Sequence, residues 1–329
     1  MSQPLAHERR RAMLTTAFGP AIERALADPL VVEIMVNPDG ALRLDRLGVG
    51  VADTGVRLEP AQVERIIRLV AAHARSEVHA GAPIVSAELP PYGRGAGERF
   101  EGILPPVAVA PCFAIRKPAT RIHTLADYVA DAIMSEHAAA VLAAAVHDRR
   151  NIVVAGGTSS GKTTLANALL AEMAGRDERV ILIEDTRELQ SPAADTVALR
   201  ARAGTATIAE LVRSTLRLRP DRIIVGEVRG PEALDLLKAW NTGHPGGIAT
   251  VHANSAAAAL PRLEQLVQEA TLTVPRALIA EAVQLIVFLA GRGAARRVET
   301  IAEVAGLDTA GGYCLRVLPL PQHAPGDRR

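Results

Sequence analysis

The strongest constraint on this chain is the run Gly156-Gly157-Thr158-Ser159-Ser160-Gly161-Lys162-Thr163, followed by Thr164. An apolar, β-rich run precedes it at 152–155, and Leu165, Leu169, Leu170 and Met173 follow at helical spacing. Strand, glycine-rich loop and helix in that order form a phosphate cradle: glycines let backbone N–H groups turn inward, and the helix N-terminus adds its partial positive charge. In such a loop Lys162 reaches the β- and γ-phosphates and the Thr163 hydroxyl sits on Mg²⁺, so the expected ligands are ATP and Mg²⁺.

The rest of the C-terminal half supports a nucleotide-binding α/β architecture. Short β-rich runs at 152–155, 180–183, 223–225 and 248–251 alternate with stretches of helical length, which argues for a mostly parallel sheet covered on both faces. Ligands of such sheets bind at the carboxyl ends of strands. An Ala-rich helix is expected at 135–146.

The first third reads differently. A helix is expected over 7–27, then a strand at 32–36, a turn at Asn37-Pro38-Asp39-Gly40 and a return strand at 41–44. Val63, Ile66, Ile67 and Val70 mark an amphipathic helix opened near Pro60. Strands are expected at 84–89, 99–104 and 112–116, with a Pro/Gly-rich stretch at 90–97. The boundaries that follow are an N-terminal α+β domain at 1–118, a linker at 119–134 and an ATPase domain at 135–329, with the stretch 117–134, opening on Lys117-Pro118, as the candidate hinge.

Composition narrows the function. With 37 basic against 36 acidic residues the net charge is +1, so no global field holds a polyanion, and 2% aromatic content leaves few rings for stacking bases. Direct nucleic-acid binding therefore gets no support. Cys112 and Cys314 form no CxxC pair, which leaves no zinc site in the sequence. The charged start of the chain lacks the apolar core of a signal peptide, and no run approaches a membrane span, so a cytoplasmic protein is expected. Arg9, Arg10 and Arg11 offer a short basic cluster for peripheral contact with anionic lipid at the inner membrane.

Two strands end in acid: the run at 180–183 leads into Glu184-Asp185, and that at 223–225 into Gly226-Glu227. Carboxylates there hold a metal's water shell or orient an attacking water. The segments around them, IEDTRELQ (183–190), LRLRPDRIIVGEVRGPEA (216–233) and NTGHPGGIATVHANS (241–255), resemble the Asp box, Walker B region and His box of secretion traffic ATPases. GERFEGILPPVAVAPCFAIRKPA (97–119) is similar to the end of the N-terminal domain in the type IV secretion branch, in its conjugal transfer members above all.

The resemblance implies a RecA-like core behind a smaller N-terminal domain, assembled as a homohexamer on inner-membrane secretion or conjugation channel components. It implies that Glu184 acts on the attacking water and that Glu227 lies near Mg²⁺, partly through water. His252, and less closely His244, match the His box that couples loss of the γ-phosphate to ring movement. Arg99 and Arg116 match arginines that reach the nucleotide across a subunit or domain boundary. Arg187, Arg219 and Arg229 fall inside the motifs as supports of the acidic loops. Rival readings are a pilus retraction or assembly ATPase, a DNA-stimulated RecA-like motor and a nucleotide switch without turnover.

Overall fold

The computed structural model describes residues 3–90, 97–118, 122–202 and 204–320, with side chains from residue 12 onward and residue 294 by its backbone alone. The side chains of Arg9, Arg10 and Arg11, most of the 90–97 stretch and residues 119–121 of the expected hinge thus lie outside the described residues. The chain divides into two compact units, 1–120 and 121–329.

The first unit runs α1 (Gln3–Ala27), β1 (Val31–Val36), β2 (Ala41–Arg46), β3 (Gly50–Arg57), α2 (Pro60–Ala74), β4 (Ile84–Glu88), β5 (Arg99–Ile103) and β6 (Cys112–Arg116). Its sheet is antiparallel throughout, in the order β3-β2-β1-β6-β5-β4. Gly40 makes the expected turn: its φ is 74°, and a β-carbon there would stand 2.4 Å from the Leu58 carbonyl oxygen, so only glycine fits. Val63, Ile66, Ile67 and Val70 of α2 are all buried, packed with Ile34, Phe100 and Ile115 from the strands. Helix α1 is kinked where the sequence reading expected one continuous helix, because Gly19 takes φ 71° just before Pro20.

The second unit runs α3 (Leu125–Ala130), α4 (Glu136–His147), β7 (Ile152–Gly156), α5 (Lys162–Ala171), β8 (Arg179–Glu184), β9 (Asp195–Arg200), α6 (Ile208–Thr215), β10 (Arg222–Val228), α7 (Glu232–Asn241), β11 (Ile248–His252), α8 (Ala256–Gln268), α9 (Arg276–Ala282), β12 (Leu285–Ala290), β13 (Arg297–Leu307) and β14 (Tyr313–Val317). The sheet order is β14-β13-β12-β7-β11-β10-β8-β9, parallel from β12 to β9, with β13 and β14 antiparallel at one edge. Alternate residues of each central strand face two cores. Val154, Leu182 and Ile224 meet α3, α4 and α5, while Val153, Ile181 and Ile223 meet α6 to α9. Within the stretch expected to be a linker, α3 is capped by Thr124 and Asp127 and buries Leu125 and Tyr128. No helix of the described residues is long and apolar enough to cross a membrane.

Candidate active site

The loop after β7 adopts the conformation that its glycines and serines allow. Ser159 has φ 60° and Gly161 φ 94°, so successive N–H groups can converge, and α5 begins at Lys162. Ser160 is 2% exposed, and its Oγ finds no hydrogen-bond partner. Thr163 and Thr164 follow in the first turn of α5, both half-buried. Nζ of Lys162 curls back to donate to the Gly157 carbonyl at 2.9 Å and lies 3.4 Å from Nδ1 of His252.

That histidine arrives by strand register, since His252 pairs with Gly156 across β11 and β7. Its Nε2 is 2.6 Å from Oε1 of Glu227, the acid at the end of β10. Burial and the neighbouring Lys162 hold His252 below the usual histidine range, with Glu227 pulling the other way. With Lys162 at Nδ1, the ring proton belongs on Nε2, facing Glu227. A bulge in β10 between Val225 and Val228 turns Glu227 toward this cluster, and Thr250 Oγ1 stitches it by donating to the Gly226 carbonyl at 2.7 Å. Arg229 bonds Glu227 Oε2 through Nε at 2.8 Å and again through Nη2, and reaches Asp185 through Nη1 at 2.9 Å. The turn carrying Arg229 is held by Glu232, whose Oε1 accepts from the Arg229 and Gly230 N–H groups.

Glu184 lies on the far side of Glu227 from the phosphate loop, against the strand that carries Glu227: a β-carbon at Gly226 would stand 3.0 Å from the Glu184 Cγ. It ends β8, three strands from β7, or roughly 14 Å at the usual strand spacing. It is 4% exposed, and its Oε1 accepts from the backbone N–H groups of Glu188 and Leu189 at 2.9 and 2.8 Å. Burial pushes its carboxyl up to about 7 against the pull of those two donors. Asn167 of α5 ties the same loop to the helix behind the phosphate cradle, donating to the Glu188 carbonyl and accepting from the Gln190 N–H, both at 2.9 Å. The sequence reading missed Asn167, Glu232 and Thr250. A lone Asn between the apolar residues of α5 was the one available signal.

His244 does not join the site. Its Nδ1 lies 2.9 Å from the Pro220 carbonyl, ahead of β10 and therefore at the amino edge of the sheet, so its place is structural. In the first unit, Arg99 and Arg116 are direct cross-strand partners, in a row that reads Glu88, Arg99, Arg116, Glu33 from β4 to β1. Like charges set opposite each other are unfavourable unless countered, and the flanking acids supply part of the counter-charge.

The donor set fits a nucleotide and its cation. A buried lysine and an unpaired buried hydroxyl line an N–H-rich loop, and Oε1 of Glu227 is buried without a hydrogen bond of good geometry despite the nearby imidazole. The profile of the type II/IV secretion system protein family matches residues 58–296, well over half of the chain. The chain belongs to this family. This type II/IV secretion system protein is 48% identical over 308 residues to the conjugal transfer protein TrbB of Rhizobium radiobacter, covering 93% of this chain and 94% of that one. It is 35% identical to the type IV secretion system protein PtlH homolog of Bordetella bronchiseptica, over 82% of this chain and 89% of the relative. Its fold is similar to that of the pilus retraction motor PilT with bound ADP, with TM-score 0.61 and 21% identity over 92% of this chain and 83% of PilT. The second unit is thus a RecA-like α/β core, and the first is the smaller N-terminal unit of the family.

Proposed function

We propose that this secretion-system protein hydrolyses ATP and, as a homohexameric ring, powers conjugative transfer or type IV secretion from the cytoplasmic side of the inner membrane. The observation that carries the reading is the meeting of Lys162, His252 and Glu227 at the carboxyl ends of adjacent parallel strands, beside a loop with converging N–H groups.

Each residue has a task in phosphoryl transfer, where positioning and charge matter more than covalent chemistry. Lys162 leaves the Gly157 carbonyl for the β- and γ-phosphates, and the N–H groups of 157–164 receive the phosphate oxygens. Thr163 and Glu227 would hold Mg²⁺, Glu227 partly through water, and the bound cation would neutralise charge on the β- and γ-oxygens. Glu184 is the base, because a carboxyl near 7 suits proton abstraction at neutral pH and the two N–H groups on Oε1 hold the carboxyl in one orientation. His252, joined to both Lys162 and Glu227, loses or gains those contacts as the γ-phosphate leaves. Arg99 and Arg116 neutralise transition-state charge on a nucleotide that reaches them, and the 117–134 stretch, with Lys117-Pro118 at its start, is the hinge.

The assignment to conjugation follows the name of the relative at 48% identity, whereas the pilus-retraction reading rests on fold alone. Lys162→Ala should lower ATP turnover by about a hundredfold or more and abolish nucleotide retention. Light scattering of the wild type with ATP should report a hexamer, and a strict monomer in every nucleotide state would sink the ring.

A further inference from the structure

A second cation approaches the phosphate loop from the side opposite His252. Strand β7 lies between β11 and β12, and the chain leaves β12 through a tight turn that brings back Arg296 just before β13. The turn is rigid for backbone reasons. Gly291 takes φ 75°, where a β-carbon would stand 2.0 Å from the Ala295 carbonyl oxygen, and the Arg296 N–H donates to the Gly293 carbonyl at 3.2 Å. From there the Arg296 side chain lies against the loop: a β-carbon at Gly161 would be 2.8 Å from both its Cζ and its Nε.

Arg296 is half-buried, its Nε is fully buried without a hydrogen-bond partner, and among the described residues no carboxylate pairs with it. The nearby Tyr128 hydroxyl is likewise buried and unpaired. An unpaired guanidinium beside Lys162 and the positive end of α5 is electrostatically unfavourable until an anion joins them. Nothing in Gly161 itself gains from a cation, so the missing partner is the ligand of the loop.

We propose that Arg296 is a nucleotide-binding residue that pairs with the proximal, α- and β-phosphate part of the bound nucleotide. The inference rests on the ATPase reading of the loop. The side of approach decides which phosphates are served: His252 and Glu227 come in through β11 and β10 and take the γ-phosphate end, whereas Arg296 comes from across β7. A contact to phosphates shared by ADP and ATP strengthens both alike, unlike a finger that acts only on the transition state.

The test is a titration of the full chain with ADP and with a non-hydrolysable ATP analogue, for wild type, Arg296→Ala, Arg296→Gln and Arg296→Lys. Loss of a charged hydrogen-bond partner should weaken both affinities by about ten- to hundredfold, leaving their ratio unchanged, and Arg296→Lys should recover part of the loss. Should Arg296→Ala fail to fold, the Gln and Lys variants carry the same comparison. Unchanged ADP affinity in a folded Gln variant, or a loss confined to kcat, would overturn the proposal. Lys162→Ala separates the two readings. If it loses ADP while the Arg296 variants keep it, only Arg296 is misassigned; if it also binds ADP normally, the ATPase reading of the loop fails first.

Discussion

Glu184 is, among the described residues, the carboxylate whose environment raises its pKa where the other shifted carboxylates are lowered. Its carboxyl is raised from 4.5 to about 7, chiefly by burial, so the folded protein holds a proton there that the unfolded chain has released. Stability from this group is therefore fully present below about pH 4.5, drains away as pH rises toward 7, and is absent above it, a swing of roughly 3 kcal/mol. Glu184→Gln removes the titration yet can still accept from Glu188 and Leu189. Denaturant unfolding at pH 5 and pH 8 should show the variant gaining about 2–3 kcal/mol on the wild type at the higher pH, while its ATP turnover collapses. An identical stability difference at both pH values would refute the buried, protonated carboxyl. Other carboxylates, such as Glu178 and Glu303, are held low by arginines and act in the opposite direction, but they cancel in this comparison. From sequence Glu184 was visible as an acid after a strand; that its own loop would cap it was not, because the donors are backbone groups whose direction no residue type encodes.

At the level of elements, the loop after β8 is tied to α5 by the buried side chain of Asn167. Asn167 is 3% exposed and bonds one carbonyl and one N–H of residues 188–190, so Asn167→Leu removes its two hydrogen bonds from a half-buried loop. The expected loss is about 2–4 kcal/mol in unfolding free energy, with faster hydrogen exchange at 188–190 than at β7. Unaltered exchange in that loop would mean Asn167 is not its clamp. Elements of this kind show what sequence could convey. The runs that became β7, β8, β10 and β11 were legible because they are continuous, β-branched and end in chemistry. Strand β3 was not, since it lies at the sheet edge with every residue after Gly50 exposed and so carries no alternation. Leu285–Ala290 is apolar throughout, and such a run fits a buried helix segment as well as the central strand it forms. One motif string supplied both His244 and His252, and the strand between them carries the two to opposite edges of the sheet. Arg296 was illegible for a related reason: it neighbours Gly161 only because β12 pairs with β7.

Over the whole molecule, the near-equality of 37 basic and 36 acidic residues separates the traffic motor from its DNA-driven rival. A motor that tracks single strands must neutralise several phosphates at once, and its activity then rises with added DNA and falls steeply with salt as counterions return. Here many arginines are already committed to acids: Arg222 with Glu178, Arg179 with Asp195, Arg229 with Asp185 and Glu227, Arg276 with Glu264. Among the described residues the pair Arg99 and Arg116 is one localised exception, and Glu33 and Glu88 bracket it in the same cross-strand row. Such a bracketed pair suits a compact anion such as a terminal phosphate better than an extended strand. ATP turnover by the full chain should consequently change by less than about twofold on adding saturating single-stranded DNA at 50 mM salt, where electrostatic binding is strongest. Arg99→Ala or Arg116→Ala should lower turnover by at least about a thousandfold if either acts as a finger, with DNA present or absent. Strong stimulation by DNA that disappears in the Arg99 or Arg116 variants would instead make that row a strand-binding surface, and the rival motor the better account.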